Sequence, residues 1–276
     1  MFSIITCSTN STYFNLLEQS IKKTSTINYE IISIDNSIEK LSLSKAYNKA
    51  GYKAKYPYLV FVHEDIEFLN VGWDKSLLEL LKNKKNGIIG VAGSTYLPSC
   101  PSGWYLPDEK YNHVYIHQGF KYKEAPLRFD DQGEDLTPVF LLDGVFLAMR
   151  SDVWKKFPFN EKLDGFHAYD VDISQRVSVK FQNIFTKKIE LKHHSEGKVD
   201  KVYFDVLLSY KSQYSNFNYS KRNHSLEFKI LKQYYLNMRC YYDKSRCIEK
   251  IKPFISIKIL GFKRYFSFIK FLWYEK

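Results

Sequence analysis

The chain has 276 residues, 45% of them hydrophobic and 17% aromatic, with a formal net charge of +11. This length and apolar content exclude a disordered chain and fit one large domain, alone or with an appendage. The charge is uneven: residues 198–276 hold 17 Lys+Arg against 6 Asp+Glu, whereas residues 1–197 hold 24 of each, so the neutral front argues against nucleic-acid binding across the main domain, and the basic tail suits an anionic surface.

Residues 2–6 read as a short buried strand that opens into the polar loop Cys7-Ser8-Thr9-Asn10-Ser11. A helix should follow, with Phe14, Leu17 and Ile21 on one face. Residues 29–34 form a second strand ending at Asp35-Asn36-Ser37, and Leu43, Ala46, Tyr47 and Ala50, spaced i, i+3, i+4, i+7, mark a second helix. A third strand at 58–62 completes a β-α-β-α-β order whose crossovers are long enough for helices, which predicts a parallel sheet. Residues 73–82 predict a helix and 87–92 a further strand. Between 94 and 138 the periodicity gives way to Pro, Gly, Trp and Tyr, the composition of an insertion or mobile loop over a site. Strands at 139–142 and 145–150 flank Asp143-Gly144, residues 164–176 carry a second acidic cluster, and 185–192 alternate toward His193-His194-Ser195-Glu196-Gly197. Beyond about residue 200 the chain becomes basic, aromatic and helix-like, so two domains are expected, 1–197 and 198–276.

Residues 58–67, Tyr-Leu-Val-Phe-Val-His-Glu-Asp-Ile-Glu, carry the strongest functional signal. Five apolar residues read as a fully buried strand, which stops at His63, Glu64, Asp65 and Glu67. Open α/β sheets bind their ligands at the carboxyl edge of the strands. An acidic cluster there repels a bare phosphate and holds one only through a divalent cation, and hard cations prefer carboxylate oxygen. The bland alternative is a solvated strand end. Asp35 closes the second strand at the same edge, where it either caps the next helix or accepts hydrogen bonds from a nucleotide base or ribose, with Ser8 and Thr9 lining the same pocket. Asp170 and Asp172 fall near a predicted helix start, where the helix dipole favours acids. Phe166, Tyr169 and Ile173 make those surroundings partly apolar, a setting in which a carboxylate can serve as a general base. His193 and His194, at the end of another strand, could supply a metal ligand.

In this order the pieces resemble glycosyltransferase family 2 with a GT-A fold, and more closely the bacterial glycosyltransferase-like subgroup with a His-x-Asp version of the DxD motif. The resembling stretches are Ser3-Ile-Ile-Thr-Cys-Ser-Thr-Asn10, Ile34-Asp-Asn-Ser37, Lys45-Ala-Tyr-Asn48, Phe61-Val-His-Glu-Asp65, Leu142-Asp-Gly-Val-Phe-Leu147, residues 165–176 and His193-His-Ser-Glu-Gly197. They span about the first 197 residues. The resemblance implies an α/β fold of GT-A (Rossmann-like) type, a mostly parallel sheet flanked by helices, with a helical basic C-terminal extension outside it. It implies a metal-dependent inverting transferase that moves a sugar from a nucleotide-diphosphate donor, a UDP-sugar foremost, to a saccharide or lipid-linked acceptor in bacterial surface polysaccharide synthesis. Ser8 and Asp35, with Thr9 beside them, would contact the nucleotide, and Asn48 would support the phosphate side of the pocket. Asp65 with His63 would stand in the DxD position and hold Mn²⁺ or Mg²⁺; His193, with His194 as the fallback, would be the C-terminal metal ligand. Asp143, with Gly144 and Asp172, would meet the donor or acceptor sugar, and Asp170 would deprotonate the acceptor hydroxyl. The chain departs from the family pattern at His63, which replaces the first acid of DxD, at Tyr169, which replaces the Glu of the commoner Glu-Asp motif, and in lacking the usual first-loop proline.

Residues 253–274 combine Phe254, Ile255, Ile257, Phe262, Phe266, Phe268, Ile269, Phe271, Leu272 and Trp273 with Lys258, Lys263, Arg264 and Lys270. Such a helix either packs on the core or on a second copy in a homo-oligomer, or lies in an interface with its aromatics inserted and its lysines toward anionic headgroups; residues 253–276 favour the membrane surface. Cys7, Cys100, Cys240 and Cys247 lack CxxC or zinc-type spacing and read as reduced thiols. With no basic n-region at the start and no run of about 18 uncharged apolar residues, a cytoplasmic protein is expected, peripheral on the inner face of the plasma membrane. Two other functions stay open: a catalytically inactive sugar-nucleotide-binding module, consistent with His63 and Tyr169, and a nucleic-acid-binding protein using the basic tail. The neutral front and the absence of an RNA-binding motif count against the last, so no nucleic-acid partner is expected.

Overall fold

The computed structural model describes residues 1–120, 123–124, 134–195, 197, 199–213 and 222–275. Of the expected loop at 94–138, residues 121–122 and 125–133 lie outside the described residues, as do Glu196 and Lys198 at the expected domain boundary and Lys276. The chain divides into two units, Met1–Thr95 with Asn112–Gly197, and Tyr96–Tyr111 with Lys198–Lys276. One of the cut points follows Gly197. The excursion of Tyr96–Tyr111 into the second unit has no counterpart in the sequence pattern.

The first unit opens with β1 (Phe2–Ser8), α1 (Ser11–Thr24), β2 (Tyr29–Asp35), α2 (Asn36–Glu39), α3 (Leu43–Gly51), β3 (Tyr58–His63), β4 (Ile66–Phe68), α4 (Trp73–Lys82), β5 (Asn86–Gly90) and β6 (Ala92–Ser94). It continues through β7 (Asn112–Val114), β8 (Ile116–Phe120), β9 (Lys123–Glu124), β10 (Leu136–Val139), β11 (Leu141–Leu142), β12 (Phe146–Arg150), α5 (Ser151–Lys156), α6 (Tyr169–Ser178), β13 (Gln182–Thr186) and β14 (Leu191–His193). The early helices begin where a short polar side chain takes up free backbone N–H groups: Asn10 caps α1, Asp35 caps α2 and Ser42 caps α3. Their buried faces carry the expected apolar residues, Leu17 and Ile21 on α1 and Leu43, Ala46, Tyr47 and Ala50 on α3.

Seven of the described strands form the central sheet, in the order β10-β13-β5-β12-β3-β1-β2. β1 runs parallel to β2 and β3, and β13 parallel to β5. β12 runs antiparallel to both β3 and β5, and β10 antiparallel to β13. Five strands therefore point one way and two the other, a mostly parallel sheet. Register sets Ser8 beside Asp35 and Cys7 beside His63, so β1, β2 and β3 end at one edge. Because β12 is antiparallel, with Phe146 opposite Val62, it enters the sheet where β3 leaves it. Asp143-Gly144-Val145 thereby reach the same edge without a crossover, and the His63 N–H donates to the Val145 carbonyl at 3.2 Å. Two smaller sheets, β11-β6-β7 and β4-β14-β8-β9, complete the unit. Under the edge sits an aromatic group, Tyr47, Phe61, Phe159 and Tyr169, packed among Ile5, Leu142, Leu147 and Ile173. Burial of each such large side chain contributes about 1.5–3 kcal/mol.

The second unit is helical as expected beyond residue 200: α7 (Lys201–Gln213), α8 (His224–Met238), α9 (Lys244–Ile251), α10 (Ile257–Leu260) and α11 (Phe262–Tyr274). Tyr96–Tyr111 is tied to α8 by the buried carboxylate of Glu227, which accepts from the Tyr96 hydroxyl at 2.8 Å and from the N–H groups of Ser99 and Cys100 at 2.7 and 3.0 Å. α11 packs on α8 through Phe268 against Phe228 and Phe271 against Tyr235. Among the described residues no helix is long and apolar enough to cross a membrane.

Candidate active site

The strand ends deliver the side chains. β3 stops at His63, and the chain turns through Glu64-Asp65 into β4, which pairs with β14 so that Ile66 lies opposite His193. This pairing brings His193 back to Asp65 across 128 residues of sequence. The His193 Nε2 lies 3.4 Å and the His63 Nδ1 4.0 Å from Asp65 Oδ1. The ligand atoms of His63, Asp65 and His193 all fall within 4.8 Å of one another. His194, the fallback, is directed elsewhere: its Nε2 meets Glu67 at 2.6 Å and its ring stacks on Tyr13.

Both clustered imidazoles are held from behind. His63 Nε2 lies 2.8 Å from the Tyr169 hydroxyl, and His193 Nδ1 lies 3.2 Å from the Gln118 side-chain oxygen. An N–H donated from each of these ring atoms leaves the other nitrogen of each ring as a lone pair facing Asp65, which is how histidines that bind cations are oriented. Burial, then the neighbouring His193, holds His63 below its ordinary range, so it is neutral at physiological pH. Burial acts to raise Asp65, but the two neighbouring imidazoles, His193 first, and the Ser195 hydroxyl outweigh it and keep this carboxyl ionised well below the usual carboxylate range. A neutral imidazole and an ionised carboxylate are the protonation states that cation binding requires.

Tyr169 is the hinge between this cluster and the expected base. Its ring is buried edge-on against Tyr47 and beside Phe159, at centroid distances of 5.9 and 6.1 Å. Gly144 lets its hydroxyl through: a Cβ there would lie 1.8 Å from the Tyr169 oxygen. The residue before it, Ala168, sits in the left-handed region at φ 62°, a conformation that costs about 1–2 kcal/mol in a residue with a Cβ and that concentrates at functional sites. The turn it makes starts α6 with Asp170 in the first turn. Asp170 accepts from the Gly144 N–H at 3.3 Å and from the Val171 N–H at 2.9 Å. Burial, and then the negative charge of Asp143, push its carboxyl up to about 7, against the pull of those two N–H groups. A carboxylate so placed can take a proton near neutral pH.

An open cleft of about 360 Å³ lies at this edge, lined by Cys7, Thr9, Asn10, Tyr13, Leu43, Tyr47, His63, Glu64, Asp65 and Phe166. Its rim is set by Glu64, whose carboxylate accepts from the hydroxyls of Ser8 and Thr9 at 2.6 and 2.9 Å and from the N–H groups of Thr9 and Asn10 at 3.0 and 2.9 Å. Burial, and then Glu64 and Glu39, push the Cys7 thiol up to about 12, which favours its protonated form.

The other expected residues have structural partners. Asp35 caps α2 through the Ser37 N–H and hydroxyl. Asn48 is buried, donating to the Phe159 carbonyl and to Glu161 and accepting from the Phe159 N–H, so its amide is spent on holding the 159–161 segment. Asp172 is fully buried in an ion pair with Arg176 and does not reach the cleft. Asp143 turns back to accept from the Val145 N–H at 3.1 Å. Sequence reasoning missed Gln118, Glu64 as a loop clamp, and the orienting role of Tyr169. Glu64 stood in the acidic run after the third strand and Tyr169 where the family pattern has an acid; Gln118 left no signal.

A family model described as a glycosyltransferase-like family matches residues 3–229. Comparison with curated proteins finds no match. Among solved structures, GalNAc-T7 with UDP, GalNAc and Mn²⁺ superposes with a TM-score of 0.52 at 11% identity, over 94% of this chain and 58% of that one. TarS from S. aureus superposes with a TM-score of 0.50 at 14% identity, over 88% of this chain and 44% of that one. The chain thus spans about half the length of these two proteins, and at such identities the likeness is one of fold, the GT-A fold.

Proposed function

This chain belongs to the glycosyltransferase-like family, and from that premise we propose that it moves a sugar from a nucleotide-diphosphate donor to a hydroxyl of a saccharide or lipid-linked acceptor, with inversion at the anomeric carbon. The observation that carries the proposal is the meeting of His63, Asp65 and His193 within 4.8 Å at the carboxyl edge of the parallel strands, beside a cleft with the dimensions of a small-ligand site. A UDP-sugar is the first donor to test, since the GalNAc-T7 structure carries UDP, GalNAc and Mn²⁺. A role in bacterial surface polysaccharide synthesis accords with a saccharide acceptor.

The donor set fits a divalent cation. One carboxylate oxygen and two imidazole nitrogens favour Mn²⁺ over Mg²⁺, because nitrogen ligands suit the softer ion. When bound, such an ion neutralises charge on the diphosphate leaving group. The remaining work falls to the chain. Tyr169 and Gln118 fix the two rings, Glu64 holds the Ser8–Asn10 loop against the cleft, and Asp170 receives the acceptor hydroxyl proton on the side of Gly144. Asp143, next to Asp170, meets a sugar hydroxyl. Ser8, Thr9 and Asp35 remain the proposed nucleotide contacts.

A thermal-shift panel of nucleotide sugars, with Mn²⁺ present and absent, tests the proposal. Ligand at 100 times its Kd stabilises the fold by about 2.7 kcal/mol. Stabilisation by a nucleotide sugar that depends on Mn²⁺ is the expected result; a flat panel refutes the proposal. Donor hydrolysis with Mn²⁺ then separates a transferase from a module that only binds.

A further inference from the structure

α11 carries two apolar faces, and packing within its own unit uses one. Phe268 and Leu272 are turned inward, 0% and 7% exposed. Phe262, Phe266, Ile269 and Trp273 are 70%, 53%, 40% and 82% exposed. Their spacing of 4, 3 and 4 residues, at 100° per residue, confines them to an arc of about 60°. Lys263 and Lys270 line one border of this stripe. From residue 250 to residue 274 the chain has six Lys+Arg and no acidic residue. The next acid, Glu275, is engaged by Tyr235 and Arg239. Beside the stripe, a shallow recess between α8 and α11 presents Lys232, Ser267 and Lys270.

We infer that the outer face of α11 docks on an anionic lipid surface, its aromatic side chains entering the interface while Lys232, Lys263 and Lys270 meet headgroup phosphates. Charge complementarity selects this occupant. An exposed stripe of Phe, Ile and Trp bordered by cations matches an interfacial helix, and lysine stems can lie along the apolar surface with their charges in the headgroup layer. A second copy of the chain would bring an equally basic border against this one, a like-charge contact. The inference does not require the sugar-transfer reaction; it deepens that proposal in one respect, because a lipid-linked acceptor would be presented at such a surface.

The test is flotation of the full chain with vesicles of phosphatidylcholine alone and of phosphatidylcholine with 30% phosphatidylglycerol. Binding is expected with the anionic vesicles, falling at high salt, together with a blue shift of tryptophan emission that Trp273→Ala removes, since Trp73 and Trp154 are buried, Trp104 is partly buried and Trp273 is exposed. The Phe266→Ala/Trp273→Ala variant should bind at least 10-fold less, while keeping its melting temperature and its response to nucleotide sugar. Equal flotation of variant and wild type, or no flotation with either vesicle, overturns the inference. So does a dimer that the substitutions dissociate while flotation is unchanged, which would assign the stripe to self-association. Loss of the nucleotide response in the wild type would strike the proposed reaction and leave the vesicle result standing.

Discussion

Tyr169→Phe removes one oxygen from the site and little else. The ring is held by Tyr47 and Phe159 at 5.9 and 6.1 Å, so phenylalanine should occupy the same place. What is lost is the 2.8 Å hydrogen bond to His63 Nε2. Removing a group that orients a ligating histidine typically lowers metal affinity or activity by about 10- to 100-fold, or roughly 1.4–2.7 kcal/mol. Loss of this hydrogen bond from the partly buried His63 also costs about 1 kcal/mol of fold stability. Titration calorimetry with Mn²⁺ reads the first quantity and denaturant unfolding the second. Tyr47→Phe is the control: its hydroxyl bonds the Val62 carbonyl at 3.1 Å and touches no ligand, so it should lower stability alone. Unchanged Mn²⁺ affinity in Tyr169→Phe, or an equal loss in Tyr47→Phe, refutes the orienting role.

Asp170→Asn should cut turnover by about 10²-fold or more while leaving donor affinity nearly intact; equal turnover removes the assignment. With its carboxyl raised to about 7, kcat/KM of the wild type should rise with pH through that value, and Asp143→Asn, which deletes the neighbouring negative charge, should move the limb to lower pH. The same shift has a stability consequence. The folded state holds the Asp170 proton more tightly than the unfolded state, so stability falls as pH rises from about 4 to 7, and Asp170→Asn should be the more stable protein at pH 8, an advantage that fades toward pH 4. Glu64→Ala deletes four hydrogen bonds to residues 8–10 and should weaken nucleotide binding about 10-fold, at about 1 kcal/mol per bond offset by the exposure of the loop; calorimetry showing wild-type affinity would dismiss the clamp. His193→Ala should abolish Mn²⁺-dependent stabilisation where His194→Ala retains it, since only His193 faces Asp65.

Much of the first unit was legible because periodicity and termination are local. The buried runs ending at Ser8, Asp35 and His63 declare both the strands and the edge where they stop, and Trp73–Lys82 is a helix with the bounds its pattern predicts. The choice between His193 and His194 was not legible, because both end the same alternation and only the register of β14 on β4 separates them. Gln118 belongs to a strand with no motif, and its role arises from the parallel pairing of β8 with β14. Asn48 and Asp172 sit in matching motifs yet are consumed by packing. For Asp172 the i, i+4 spacing to Arg176 was visible, and an ion pair within one helix is the simpler use of it. The Tyr96–Tyr111 segment follows no period because a single buried carboxylate, Glu227, organises it through backbone N–H groups, which no side-chain pattern reports.

The four thiols of the chain are unequal in a way that serves measurement. Cys7 is pushed up to about 12, Cys100 is buried and held well above its ordinary value, and Cys247 is buried and raised. Cys240, just beyond α8, is the one exposed thiol. A maleimide fluorophore should therefore attach at a single position of the wild-type polypeptide, with no engineered cysteine-free background, and report on the helical unit.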